Sequence, residues 1–223
     1  MTNPTNQVMD LVTGRWRSQT LYTGVDLGVF EVVGEHPKHA VEIADQLDLD
    51  ETNCYRLLRA LGSIDLLEET DGRRFSITAR GELLQEEHPQ SLAAFALLEE
   101  GPTHYSTWKH LPDIVREGQP KGFEREFGHP LFEHMEADPE YAEVFNRAMS
   151  SLSGMESAMV VELLDDIDFS DIDRVCDVGG GRGHLLCTLL EDVPGIAGTV
   201  LERPDVVEAD ERHWHERMGL TDR

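Results

Sequence analysis

Apolar positions in the first third of the chain fall into helical groups. Val8, Met9, Leu11 and Val12, then Leu21, Val25, Leu27, Val29, Phe30, Val32 and Val33, predict a helix pair over 8–33, which Gly34-Glu-His-Pro37 ends. Val41, Ile43, Ala44 and Leu47 predict a short helix, and Tyr55, Leu57, Leu58 and Leu61 a second one. Asp48-Leu-Asp-Glu51 is the turn between them, and Asp50 or Thr52 can cap the second helix. Strand-like runs at 66–69 and 73–77 flank Thr70-Asp71-Gly72, a hairpin signal. Residues 39–80 therefore read as a helix-turn-helix with a wing.

The middle of the chain keeps a helical period. Leu92, Phe95, Leu97 and Leu98 begin one helix, and Trp108, Leu111, Ile114 and Val115 continue on the same spacing. Gly118 to Gly128 reads as a loop. Phe132, Met135, Tyr141, Val144, Phe145 and Met149 follow, then Met155, Met159, Val160, Leu163 and Leu164; methionines at this spacing are core or a soft substrate wall.

The pattern changes after an acid-rich linker at 165–173. Asp173-Arg-Val-Cys176 is a strand signal, Asp177-Val-Gly-Gly-Gly-Arg-Gly183 a glycine turn, and Leu185, Leu186, Leu189 and Leu190 a helix. A second strand, Gly198-Thr-Val-Leu201, ends on Glu202, and Pro204-Asp205 starts a further helix carrying Val206, Val207, Ala209 and Trp214. Strand, glycine turn, helix, strand and acid open a nucleotide-binding half-fold. The predicted organisation is a mostly α, winged-helix N-terminal domain at 1–90, helical connector and substrate-wall segments at 91–165, and at 166–223 the opening of an α/β Rossmann-like domain with an incomplete sheet.

Composition narrows the function classes. The chain has 223 residues, 39% of them apolar, enough for a core. No apolar run approaches a membrane span, and Met1-Thr-Asn-Pro-Thr-Asn6 lacks the form of a secretory signal, so the expectation is a cytoplasmic protein without membrane contact. Cys54, Cys176 and Cys187 show no metal spacing and read as buried free thiols; no metal site is expected. There are 44 acids against 19 bases, of which only 3 are lysine, spread along the chain. Dispersed acidity with scarce lysine points to adaptation to high salt rather than to a cationic partner, whose site would concentrate the charge. It argues weakly against nucleic acid.

Gly179, Gly181 and Gly183 remove side chains where backbone must approach a ligand closely. A dinucleotide fingerprint would need glycine or alanine at 184, which is His184, so the Gly-x-Gly-x-Gly spacing fits S-adenosyl-L-methionine better. Asp177 can orient the turn or accept from the cofactor's ammonium group, and the helix N-terminus favours its carboxylate. Glu202 stands where an acid accepts from both ribose hydroxyls. The competing reading is a tight strand-to-helix turn beside an incidental glutamate.

Several segments resemble the small-molecule O-methyltransferases that include the caffeate and acetylserotonin enzymes. They are Trp16 to Phe30, Arg56-Leu-Leu-Arg-Ala-Leu61, Ser76-Ile-Thr78 with Gly81, Phe145-Asn-Arg-Ala-Met149, the glycine turn, and Leu201-Glu-Arg-Pro-Asp-Val-Val207. They run in family order over nearly the whole chain. The resemblance implies a homodimer intertwined through the winged-helix half and cofactor contact by the turn, Glu202 and Ser153. Met149 would face a small hydroxylated, phenolic-type acceptor. The family usually has aspartate in place of Glu202. It also continues through further strands to a histidine base, which is expected beyond Arg223, so no catalytic residue is assigned here. His213, His215 and His184 are poor substitutes for that base. The resulting expectation is a C-terminally truncated methyltransferase, weak or inactive alone. Its partner would be a complementary C-terminal half or, for a catalytically dead form, a full-length paralogue. A rival reading is a winged-helix DNA-binding regulator, because Arg56, Arg59, Arg73, Arg74 and Arg80 fall on the second helix and wing. The same arginines could instead pair with neighbouring acids.

Overall fold

A computed structural model describes residues 3–34, 36–164, 167–207 and 214–223, with side chains for all of these except 153–164 and 205. Contacts divide the chain into two units, 1–148 and 149–223.

The first unit opens with α1 (Pro4–Asp26), capped by the Asn3 side chain, which accepts from the Thr5 amide. Gly28, in the left-handed region at φ 70°, turns the chain into α2 (Val29–Val32). A short strand β1 (Lys38–His39) leads into α3 (Ala40–Leu47), whose N-terminus carries a reciprocal cap between His39 and Glu42. The helix α4 (Glu51–Gly62) is capped by Asp50, which accepts from the Asn53 amide at 2.8 Å. Of the two candidates for that cap, Asp50 holds the position. The hairpin strands β2 (Leu67–Thr70) and β3 (Arg74–Ile77) follow, joined through Gly72 at φ 74° and Arg73 at φ 57°, as the Asp-Gly signal predicts. The sheet runs β1-β3-β2, antiparallel throughout. The two-residue β1 has too short a pattern to be legible in the sequence.

The core of this unit is one cluster. Val29, Phe30, Val33, Ile43, Leu58, Leu61 and Phe75 are fully or almost fully buried in it. Thr78 caps the single-turn α5 (Ala79–Glu82) and places Gly81 so close to the chain that an added Cβ would lie 2.2 Å from the Leu66 carbonyl oxygen. Only glycine fits that crossing.

Beyond it come α6 (Ala93–Glu100), α7 (Pro102–Thr107), a 3₁₀ turn at Trp108–His110, α8 (Leu111–Glu117), α9 (Gly122–Phe127), α10 (Leu131–Ala137) and the long α11 (Pro139–Leu164). One expectation fails here. The segment 118–128 holds helix α9 between left-handed glycines at 118 and 128, because Phe123 and Phe127 pack into an aromatic box with His134 and Tyr141. Trp108, Leu111 and Val115 keep the expected helical spacing and face outward, as a surface stripe.

The second unit holds the parallel pair β4 (Arg174–Val178) and β5 (Ala197–Leu201), with α12 (His184–Asp192) between them in sequence. Two short helices, α13 (Pro204–Val207) and α14 (Trp214–Arg217), follow. Ala209 and His213 lie outside the described residues. Leu186, Leu189, Leu190 and Ile196 form the core, against Val175 and Val200. Gly198 lets α12 lie against the strand: a Cβ there would stand 2.8 Å from Leu186 and 2.9 Å from Leu190. Positions 174, 176 and 178 point the other way, so Cys176 is exposed rather than buried as expected, while Cys54 and Cys187 are buried.

Candidate cofactor site

The candidate site forms where the two parallel strands end. Each strand delivers a carboxylate to the same edge: Asp177 near the end of β4 and Glu202 just past β5. Hydrogen bonds join the glycine turn to the exit of β5. The Gly179 amide donates to the Leu201 carbonyl at 2.8 Å, and the Gly181 amide donates to Glu202 Oε2 at 3.0 Å. Glu202 Oε1 accepts from the Arg203 amide at 2.8 Å. Inside the turn, the Gly183 amide donates to the Gly180 carbonyl at 2.8 Å.

The glycines have different reasons to be there. Gly179, Gly181 and Gly183 all adopt positive φ, at 76°, 54° and 83°. An added Cβ at 179 or 181 would meet nothing within 4 Å, so these two positions leave open space at the strand ends. At Gly183 a Cβ would meet Val200 at 3.1 Å, so this glycine serves helix-strand packing rather than ligand approach. Gly180, which the spacing did not single out, would push a Cβ to within 2.5 Å of Asp177 Oδ2. A side chain there would displace the acid.

Electrostatics mark the same edge. Burial, and then the charge of Glu202, raise the Asp177 pKa above the usual aspartate value. Two acids facing one another favour a ligand that brings positive charge between them. The α12 N-terminus adds the opposite polarity at Gly183 and His184. His184 meets Trp214 edge to face at 4.2 Å, and the Trp214 amide donates to the Arg182 carbonyl, so α14 is packed beside the turn. A cavity of approximately 440 Å³ lies on that side, bounded by Gly183, Leu186, Cys187, Val200, His215 and Leu220 among others. Gly181, Arg182 and Gly183 of the turn line it as well, whereas Asp177, Gly179 and Glu202 do not, so the cavity reaches the glycine turn but not the two acids.

Of the residues singled out by sequence, Asp177, Gly179, Gly181 and Glu202 come together. Met149 is half-buried on α11, and the side chain of Ser153 lies outside the described residues. Among the described residues no cluster of His, Cys, Asp and Glu could hold a metal ion. No described helix is long and apolar enough to cross a membrane. The sequence did not disclose that Glu202 reaches back to the turn, because only the fold sets the separation between the strand ends.

Residues 108–221 match the O-methyltransferase domain, and residues 9–87 the O-methyltransferase dimerisation domain. The chain is 33% identical over 217 residues to the mitomycin biosynthesis 6-O-methyltransferase of Streptomyces lavendulae, which covers 97% of this chain and 61% of that protein. The solved structure of LaPhzM superposes with a TM-score of 0.88 at 29% identity, covering 100% of this chain and 65% of that one. Human N-acetylserotonin methyltransferase, solved with S-adenosylmethionine, gives 0.82 at 26% identity over 96% of this chain and 63% of its own. The chain thus spans less than two thirds of the length of these relatives. A helical dimerisation region followed by a methyltransferase region, with a glycine turn and acid at adjoining strand ends, makes this chain a member of the S-adenosylmethionine-dependent O-methyltransferase family.

Proposed function

We propose that the chain binds S-adenosylmethionine at the ends of β4 and β5 and serves methyl transfer to the hydroxyl of a small phenolic-type acceptor. The observation that carries this is the joined turn and acid: Gly179 tied to Leu201 and Gly181 tied to Glu202, with open space over both glycines. In this reading Asp177 and Glu202 face the positively charged and the hydroxylated parts of the donor. The turn's amides and the α12 N-terminus face its carboxylate. Ser153 and Met149 are assigned to cofactor and acceptor respectively, on the family pattern. Methyl transfer from a sulfonium is an in-line displacement, in which positioning alone can lower the barrier by ~7–11 kcal/mol. No described residue is assigned as the base.

Residues 39–80 are read as a winged helix, within a dimerisation domain at 1–90. The exposed apolar stripe Val8, Leu11, Val12 and Trp16 on α1 supports a second copy as its cover. The DNA-binding alternative draws no support from Arg59, Arg73 and Arg80 of the second helix and wing. Arg59 pairs with Glu69, Arg80 with Asp65, and Arg73 lies over the Tyr55 ring at 4.8 Å.

Calorimetric titration with S-adenosylmethionine tests the donor site. Saturable binding that disappears in Gly181→Asp, with unchanged circular dichroism, is expected. Equal binding by that variant would remove the site from the strand ends. Transfer is read separately, as labelled methyl extracted with a phenolic acceptor.

A further inference from the structure

Glu202 is not free in this structure. Both of its carboxylate oxygens accept from backbone amides, Oε2 from Gly181 at 3.0 Å and Oε1 from Arg203 at 2.8 Å. Gly181 N–H is one of the donors that the turn would otherwise present to a ligand, and the space over its Cα is open. The acid therefore fills, from inside the protein, a donor that belongs to the binding edge. Reach makes this possible. An aspartate at 202 would set its carboxylate back by one methylene, roughly 1.5 Å, too short for the 3.0 Å contact without movement of the strand end.

We propose that Glu202 is a positioning residue that acts as a latch. In the free protein it holds the glycine turn against β5 through Gly181. When an adenosyl ligand arrives, the carboxylate leaves the Gly181 amide and accepts instead from the ligand's vicinal diol. This rests on the donor-site reading above, for which it supplies the order of events. Arg203 N–H, donated from the next residue, keeps one carboxylate oxygen in place during the exchange. The turn does not collapse on release, because the Gly179–Leu201 and Gly183–Gly180 bonds remain. A ligand must compete with the latch, so this chain binds more weakly than it would with a free edge.

The test is backbone NMR of the whole chain, using S-adenosylhomocysteine as the probe. In the unliganded protein Gly181 N–H should be protected from hydrogen exchange. That protection should fall in Glu202→Asp and persist in Glu202→Gln, whose amide oxygen still reaches. Unchanged Gly181 exchange in Glu202→Asp would overturn the latch. Titration of the wild type should shift the Gly181 amide resonance as the Glu202 carboxylate departs. Glu202→Asp should bind the probe about tenfold more tightly, the factor that one bond to a charged acceptor is worth at its lower bound. If Gly179 and Asp177 respond while Gly181 does not, the exchange is wrong and the donor site stands. If no resonance responds, the donor site and the exchange both fall, while the variants still report on the latch in the free chain.

Discussion

Asp177 shows the tension between stability and binding at a single side chain. Burial and the neighbouring Glu202 raise its pKa, so the folded state holds this proton more tightly than the unfolded chain does. The sign follows from linkage. Stability from this group is full below the ordinary aspartate value and is lost as pH rises through the raised one. At neutral pH the ionised acid therefore works against folding. Asp177→Asn should raise the midpoint of urea unfolding at pH 7 and weaken S-adenosylhomocysteine binding; a lowered midpoint, or unchanged binding, would contradict the assignment. Tyr141 makes the same point at the alkaline end. It is only 8% exposed, its hydroxyl has no partner among the described residues, and burial pushes its pKa up to about 12. Above the ordinary tyrosine pKa of 10.0 the unfolded chain loses this proton first. Stability should then fall between that value and about 12, by on the order of 2 kcal/mol. Tyr141→Phe should remove this alkaline loss in unfolding curves taken across that range.

Between elements, the close approach of α12 to β5 depends on Gly198. A methyl group there would stand 2.8 Å from Leu186, so Gly198→Ala should cost ~1–3 kcal/mol of stability in the second unit. The effect is readable as a lowered thermal midpoint. The faces of β4 are separated just as sharply. Val178 is 74% exposed and Leu201 58%, with Cys176 on the same open face, whereas Cys187 is buried and its thiol pKa raised. A disulfide reagent should modify Cys176 rapidly and Cys54 and Cys187 only on unfolding. Much of this level was legible in the sequence. Helix periods, the Asp50 cap, the Asp-Gly hairpin and the strand, turn, helix order are local signals, and local hydrogen bonds satisfy them. What stayed hidden was set by distant partners. Helix α9 forms because Phe123 meets His104 and Tyr141, residues far from it in sequence. The stripe from Trp108 to Val115 has the period of a core face, and periodicity cannot say which elements come to cover it. At the site, the types and order of Asp177, Gly179, Gly181 and Glu202 were readable. The distance between Glu202 and Gly181 was not, because it depends on the register of β4 against β5.

At the scale of the whole chain, the formal charge of −25 is the dominant property. Few of the ion pairs among the described residues are buried, so most acids face solvent and repel one another through it. We read this as adaptation to high salt: screening should raise the unfolding midpoint steadily from 0.1 M to above 1 M potassium chloride. A midpoint independent of salt would speak against that reading. Self-association should concentrate on α1, where Leu11 is 82% and Trp16 66% exposed. Leu11→Glu with Trp16→Glu should shift the sedimentation coefficient to that of a monomer without loss of helical signal. Function turns on a more direct measurement, calorimetric titration of the purified chain with S-adenosylmethionine beside its Gly180→Val variant, whose side chain would displace Asp177. Saturable one-site binding by the parent and none by the folded variant is the expected result. Absence of binding by the parent, or equal binding by both, would contradict a methyl-donor site at the ends of β4 and β5.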